Sequence, residues 1–294
     1  MVKCTVRVPA TTANLGPGFD CVGCAFTLYN TLTFTLTDEA LSFSGCDEKY
    51  ANAENLAFIG FRDVFSYLSL PTPGVHISFD QISVPVSRGL GSSAALIVAG
   101  SCAANFLSGN KLSKEQLLAI CNKIEGHPDN LSPAIYGGLT ASVTRGDNAY
   151  SVRYGIHPSL RFVALVPDFE LLTSLARSVL PKEIAFKDAV FNTSHLAVLL
   201  KALETGDKAL ISLALDDKLH QPYRRALIKG YDQAEAFAKE LGALAFCLSG
   251  AGPTCLCLTD SDGFAEKMEE KLRSIGLNWQ VLSLPVDTEG AKII

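Results

Sequence analysis

The sequence has no apolar run long enough to cross a membrane. Its longest such stretches, Ala94–Ala104 and Phe162–Pro167, fall far short of the roughly 20 residues a span needs. The amino-terminal MVKCTVRVP alternates in polarity and lacks an apolar signal core, so the cytoplasm is the expected location. Positive charge is not in excess either. Lys and Arg number 25 against 30 Asp and Glu, a net charge of −5, whereas nucleic-acid binders ordinarily carry a basic face. Neither nucleic acid nor membrane is an expected partner. A phosphorylated small molecule stays possible, because a few backbone amides and one or two cations bind it locally. A zinc pattern is missing as well. Cys21 and Cys24 make one C-x-x-C, and Cys255 and Cys257 one C-x-C, without a second pair and histidines at ligand spacing. The nine cysteines read as small buried apolar residues or inert thiols. No internal repeat or low-complexity segment interrupts the chain.

What is present suits a well-packed globule: 294 residues, 48% hydrophobic and 19% charged, enough for two domains. Alternation marks strands at Val6 and Val8, at Leu32, Phe34 and Leu36, and at Val75, Ile77 and Phe79. A helical pattern over Asn55–Leu70 turns Leu56, Ile59, Phe61 and Phe65 inward. From Ser92 to Phe106 the residues are small or apolar on every side, which predicts a helix buried at a domain centre. Ser113 opens the next helix as a cap, with Gln116 at the capping-box position and Leu117, Ile120, Cys121 and Ile124 in one stripe; Gly126 stops it. Strands over Gly137–Val143 and Tyr150–Tyr154 close the first half. The second half has a buried strand, Phe162–Val166, and helices over Thr193–Thr205, Lys208–Leu219 and Arg225–Leu241. Then follow a strand (Leu244–Leu248), a glycine turn (Ser249–Pro253), a strand (Thr254–Leu258), a helix (Gly263–Gly276) and a strand (Trp279–Pro285). Without regular βαβ alternation, the fold class is α+β, in two domains of residues 1–155 and 156–294.

Residues 85–95, PVSRGLGSSAA, raise the functional question. Gly89, Gly91 and Ala94 satisfy the dinucleotide pattern G-x-G-x-x-G/A, and the stretch resembles a phosphate loop without the Walker lysine. A dinucleotide site needs its glycines after the first strand and an acid about 20 residues on, at a strand end. Here at least three strands precede, and Glu115 sits in the first turn of a capped helix, so the nicotinamide reading fails. Gly89, Leu90, Gly91, Ser92 and Ser93 do offer consecutive amides leading into a helix N-terminus, which suits a phosphate. The hydroxyls of Ser92 and Ser93 add a phosphate contact and a magnesium ligand. From this stretch alone, a tight loop with no ligand stays open.

Two further stretches bear on the choice: PATTANLGPGFDCVG at 9–23 and LSGAGPTCLCL at 248–258. With PVSRGLGSSAA they resemble, in order and spacing, the three motifs of the GHMP kinases, whose phosphate loop has no Walker lysine. The resemblance implies a two-domain fold, the N-terminal part like domain 2 of ribosomal protein S5 and the C-terminal part ferredoxin-like. It also implies ATP and Mg2+ as cofactors, and in-line transfer of the γ-phosphoryl group to an alcohol. The implied ATP-binding residues are Asn55, Pro85, Val86, Ser87, Arg88, Gly89, Leu90, Gly91, Ser92, Ser93, Ala94, Ala95, Gly250 and Gly252. Ser93 and Glu125 are the implied metal ligands.

The wording of the motifs is narrower. PATTANLGPGFD, EGHPDN (125–130), SPAIYGG (132–138), VPDFELLTSLARSVLP (166–181) and LHQPYR (219–224) resemble family members whose acceptor is L-homoserine. That molecule carries a carboxylate, an ammonium and a terminal hydroxyl. Guanidinium forks suit the first and an acid the second: Arg177 and Arg224 for the carboxylate, Asp20 or Asp129 for the ammonium. Asn14, His127, Asn130 and Thr173 are the remaining implied substrate contacts. Asp20, Asp129 and Asn130 are the catalytic candidates. Two departures stand out. Thr11 and Thr12 occupy the place where relatives carry a lysine, so a dedicated base is not implied. The E-x-x-x-D spacing from Glu125 to Asp129 is shorter than in distant relatives. Plainer readings stay open at this point, His127 before Pro128 as a helix-ending turn and Asn55 as a helix cap. So do two other functions, phosphorylation of a different alcohol such as mevalonate, and a catalytically silent ligand sensor. A homodimer is expected because relatives are often dimers.

Overall fold

Residues 3–36 contain a long antiparallel pair, β1 (Lys3–Thr12) and β2 (Val22–Leu36), joined from Lys3↔Thr35 to Thr12↔Cys24 with a register shift between Pro9 and Ala10. Val6, Val8, Leu32 and Phe34 share the face of this pair that is fully buried. The computed structural model describes residues 2–294. Along the chain follow β3 (Leu41–Ser44), α1 (Leu56–Tyr67), β4 (Val75–Ile82), α2 (Ser92–Leu107), α3 (Lys114–Glu125), α4 (Leu131–Tyr136), β5 (Leu139–Arg145) and β6 (Asn148–Tyr154). Helix α2 is apolar all round and sits at the centre, with Ile97, Val98, Ala99 and Ala103 wholly buried. Helix α3 starts in the Ser113–Gln116 capping box and stops at left-handed Gly126.

The second half contains β7 (Arg161–Val166), α5 (Thr173–Ser178), α6 (Phe186–Thr205), α7 (Lys208–Ala214), α8 (Gln221–Arg224), α9 (Tyr231–Glu240), β8 (Ala245–Leu248), β9 (Cys255–Thr259), α10 (Phe264–Ser274), β10 (Gln280–Leu284) and β11 (Lys292–Ile293). Four strands make an antiparallel sheet in the order β10-β7-β9-β8. The other seven form a sheet ordered β11-β1-β2-β4-β3, with β5 on β2 and β6 on β5. Strand β11 thus crosses back to the first sheet and pairs with β1 at Val6↔Ile293. One apolar core joins the halves: Ala10, Leu15 and Phe26 pack with Phe162, Leu199 and Leu256, and the rings of Phe26 and Phe162 lie 5.3 Å apart. The fold is α+β, with helices and sheets mixed in both halves. No helix among the described residues is long and apolar enough to cross a membrane.

Several boundaries differ from the sequence expectation, each for a local reason. Helix α6 begins at Phe186 rather than Thr193, and its first turn leaves Phe186 and Val190 exposed, so no inward stripe announced it. The helix expected over Lys208–Leu219 ends at Ala214. Beyond it the buried carboxylate of Asp217 accepts the amides of Leu219, His220 and Gln221, replacing helical bonds with a side-chain turn. The helix expected from Arg225 begins only at Tyr231, after Gly230 with φ +94°. Strands β3 and β11 and helices α4 and α5, of two to six residues, are too short for periodicity to reveal.

Candidate active site

The segments singled out by their glycines converge at the junction of the two halves. The Gly250 amide donates to the Ala13 carbonyl (2.9 Å), and Asn14 Nδ2 donates to the Gly250 carbonyl (2.9 Å). Ser249 Oγ donates to the Gly89 carbonyl (2.6 Å) and lies 2.9 Å from Thr12 Oγ1. The Thr11 amide reaches the Leu90 carbonyl (3.1 Å). Three loops remote in sequence are therefore one hydrogen-bonded body.

The glycine loop is built for close approach. Gly91 caps α2 with φ +72°, and a Cβ there would sit 2.0 Å from Thr11 Oγ1. Only glycine takes that conformation in that space without strain. The amides of Ser92, Ser93 and Ala94 bond to no described residue, so the positive end of a 16-residue helix stands open to an anion. Ser93 Oγ donates to Glu125 Oε2 (2.7 Å), bringing the two sequence-predicted metal ligands together from α2 and the end of α3.

A cavity of about 520 Å³ runs from this loop in two directions. On one side lie His127, Asp129, Asn130, Thr173, Arg177 and Arg224, with Asn14 and Gly250 beneath. On the other, Gly45, Tyr50, Phe79, Ile82, Val86 and Leu96 form a mainly apolar wall. Asp129 is 1% exposed. Its backbone presses on β2 where a Cβ on Gly23 would meet the Asp129 carbonyl at 1.8 Å. Asp129 Oδ1 accepts from the Asn130 amide (3.0 Å) and faces His127 Nδ1 (3.0 Å). Asn130 Oδ1 accepts from Thr11 Oγ1 (2.8 Å).

Burial pushes the His127 imidazolium down, but the hydrogen bond and charge of Asp129 outweigh it, and the net pKa is raised. The folded protein holds this proton more tightly than the unfolded chain does. The pair therefore contributes stability fully below about pH 6.5, and the contribution is lost as pH rises through the raised folded value. In thermal unfolding from pH 5 to 8.5, the gap in Tm between wild type and His127→Gln is expected to be widest at pH 5 and to close toward pH 8.5. A gap that does not vary with pH would disprove the ion pair.

Arg224 is the most distinctive group. It is 1% exposed, donates to the carbonyls of Ala176 (3.0 Å) and Gly250 (3.2 Å), and has no carboxylate within ion-pair distance among the described residues. Burial, then the neighbouring Arg177 charge, pull its pKa down to about 10. Such a cation awaits an anion. Arg177 is placed differently. Its guanidinium grips Asp20 with both nitrogens (2.6 and 3.0 Å), and that hydrogen bond raises its pKa. Asp20 and Arg177, expected at opposite ends of an amino acid, are thus bonded to each other. Asp20 has φ +51°, its amide held by Asn14 Oδ1 (2.8 Å). The Phe19 ring next to it lies under both guanidinium groups, 5.6 Å from Arg177 and 5.1 Å from Arg224.

Not every predicted contact faces the cavity. Leu90, Ala94 and Ala95 are core residues, at most 1% exposed, and Pro85 and Asp20 are not among the lining residues. Val86, Ser87, Gly89, Gly91, Ser92 and Gly252 line it. The Arg88 side chain, although at the rim, binds the carbonyls of Val86, Pro167 and Asp168 and fastens the loop to the second half. Asn55 lines the cavity but caps α1, with Oδ1 on the Ala57 amide (3.0 Å) and Nδ2 on the Tyr50 carbonyl (2.9 Å). Sequence reasoning missed Phe19, Ser249 and the part of the wall at Gly45, Phe79 and Ile82. Ser249 and Phe19 were within reach, since both stand inside quoted motifs; Phe79 read only as one residue of a strand, and Gly45 and Ile82 fell in no element the sequence announced.

The GHMP kinase family models match at residues 55–138 for the N-terminal domain and 199–277 for the C-terminal domain. The chain belongs to the GHMP kinases, a family of small-molecule kinases. Its similarity within that family is to homoserine kinases. The homoserine kinase of Clostridium beijerinckii is 41% identical, across 99% of this chain and 98% of that protein. The homoserine kinase of Nostoc sp. is 44% identical across 98% and 97%. The crystal structure of homoserine kinase from Cytophaga hutchinsonii superposes with a TM-score of 0.90 at 31% identity, covering 99% of this chain and 97% of that one.

Proposed function

We propose that this chain transfers the γ-phosphoryl group of ATP to the side-chain hydroxyl of L-homoserine, giving O-phospho-L-homoserine and ADP. The observation that carries the reading is a single cavity with an open helix N-terminus at its middle and a buried, carboxylate-free Arg224 at one end. The full-length similarity to homoserine kinases supports the same substrate. Arg224, with Arg177, takes the α-carboxylate. Asp129, whose Oδ2 accepts no hydrogen bond from a described residue, takes the ammonium, with Asn14, His127 and Thr173 around it. Gly89–Ser93 and the first turn of α2 hold the phosphates, and the apolar wall takes the base.

The residues present fit Mg2+. A hard divalent cation binds through one or two carboxylates together with substrate phosphates, and the Ser93 hydroxyl and Glu125 carboxylate are oxygen donors 2.7 Å apart beside the loop. When bound, the ion neutralises phosphate charge and orients the γ-phosphoryl group. The protein's own contribution is alignment: the acceptor hydroxyl oxygen forms a bond to Pγ as the bond to the β-phosphate oxygen breaks. The hydroxyl proton leaves to solvent or to a phosphate oxygen, because no lysine–aspartate pair stands at Thr11 and Thr12. We take the chain as two domains, residues 1–155 and 156–294, divided between β6 and β7. The cytoplasm is the proposed site of action.

The test is ADP release with Mg2+ and ATP against L-homoserine, mevalonate, galactose and L-threonine. Turnover with homoserine alone is expected. Turnover with mevalonate would overturn the substrate assignment, and no turnover with any acceptor would make the chain a sensor.

A further inference from the structure

His220 is wholly buried and stands behind the cavity rather than in its lining. It immediately precedes α8, and its ring joins two parts of the candidate site. Nε2 lies 3.1 Å from the Gly16 carbonyl. Nδ1 lies 3.4 Å from an Nη of Arg224, one helical turn along. A carbonyl only accepts, so Nε2 carries the ring hydrogen. A guanidinium only donates, so Nδ1 must present its lone pair. The two neighbours therefore demand the same state, a neutral ring with its hydrogen on Nε2. An imidazolium would turn an N–H against the N–H of Arg224 and set two like charges together.

The surroundings keep the ring in that state and place. Asp217 is 3.6 Å from Nε2, but its oxygens already accept the amides of Leu219, His220 and Gln221 and Nδ2 of Asn192. It holds the backbone of the turn. Burial lowers the pKa of His220 most; Asp217 raises it, Arg224 lowers it, and Gly16 and Asp20 raise it, with a net value below the ordinary one. The Phe19 ring stacks on the imidazole at 5.3 Å. Nδ1 is the one side-chain acceptor of Arg224 among the described residues, whose other partners are the carbonyls of Ala176 and Gly250. We propose that neutral His220 is a positioning residue of the acceptor site. Its Nδ1 lone pair sets the Arg224 guanidinium, and its Nε2–H ties that arginine to the Gly16 turn leading to Phe19 and Asp20. The proposal rests on Arg224 as the acceptor's carboxylate anchor.

Steady-state kinetics of the full chain test it. A 3.4 Å contact is a weak hydrogen bond, so the effect belongs at the low end for a bond to a charged group. His220→Phe keeps the stack on Phe19 and removes both nitrogens. It is expected to raise KM for homoserine about tenfold, with kcat and KM for ATP within about twofold of wild type. His220→Asn, whose Oδ1 stands where Nδ1 stood, is expected to recover most of that loss. An unchanged KM for homoserine in His220→Phe overturns the proposal. So does a loss shared equally by kcat and both KM values, the mark of a purely structural residue, or a His220→Asn that recovers nothing. A second measurement needs no folded variant: NMR of the ring nitrogens in wild type carrying isotope-labelled histidine. At pH 6, below the ordinary histidine pKa of about 6.5, the His220 ring is expected to carry a hydrogen on Nε2 and none on Nδ1. Saturating L-homoserine is expected to move the Nδ1 signal, because the carboxylate polarises the guanidinium that Nδ1 contacts. A charged ring, a hydrogen on Nδ1, or an Nδ1 signal indifferent to homoserine overturns the proposal. If wild type turns over no homoserine, the acceptor reading and this proposal fall together. If it does and the His220 results are negative, this proposal alone falls.

Discussion

Arg224→Met is expected to lower kcat/KM for homoserine by about 10³-fold while leaving ATP binding within about twofold of wild type. Removing one member of a buried charge pair costs about 2–5 kcal/mol, and each 1.4 kcal/mol is about tenfold. The effect falls on the acceptor because Arg224 lies over the Phe19 ring of the N-terminal motif and binds the carbonyls of Gly250 and, in α5, Ala176. Stability should change little. In the free protein Arg224 is a buried cation without a carboxylate, and burial has already pulled its pKa down to about 10, so its charge opposes folding at neutral pH. A methionine of similar length relieves that cost and forfeits two hydrogen bonds to carbonyls, so unfolding in urea should shift by no more than about 1 kcal/mol. A variant that loses several kcal/mol of stability together with activity would mark Arg224 as a structural strut instead of a carboxylate anchor.

Glu125→Gln is expected to reduce kcat by about 10³-fold at saturating ATP and homoserine, with KM for homoserine little changed. Chelation of divalent cations is expected to abolish turnover of the wild type. Charge stabilisation at the transferring phosphoryl group is the main resource available to such an enzyme, and removal of one well-placed group costs about 10²–10³ in kcat. Glutamine preserves the hydrogen bond from Ser93 (2.7 Å) and most of the volume, so the change isolates the charge. Because the two side chains meet, Ser93→Ala should add little to Glu125→Gln. Full activity of Glu125→Gln, or undiminished turnover after chelation, would refute the metal assignment.

Much of this was legible in the sequence where one residue type has one physical use. The capping box at Ser113 and Gln116, the all-apolar α2 and the alternation in β1, β2 and β4 each specify a local structure without reference to distant parts. The candidate site was legible for a different reason. Glycines and small hydroxyl residues before a helix leave few uses besides an anion, and the family resemblance supplied Arg177, Arg224 and Asp129. What stayed hidden depends on who the neighbour is. Nothing local announces that Asp20 grips Arg177, that Arg88 turns away to the carbonyls of Pro167 and Asp168, or that Asp217 converts a helical pattern into a turn. Asn30 looks like one more polar residue on a strand until the amides of Ser83 and Val84 are seen on its Oδ1.

Strand β11 carries a consequence for how the chain acquires its shape. Ile293 lies beside Val6, so the outermost ladder of the first sheet joins residues almost as far apart in sequence as the chain allows. Contacts of that span are among the slowest to form, since a long loop must close before they gain anything. The edge of β1 therefore stays open through synthesis of the whole second half, and an unpaired edge is a template for other strands. The closing ladder works as a late seal: the first sheet is complete only after the domain that shares its core has been made.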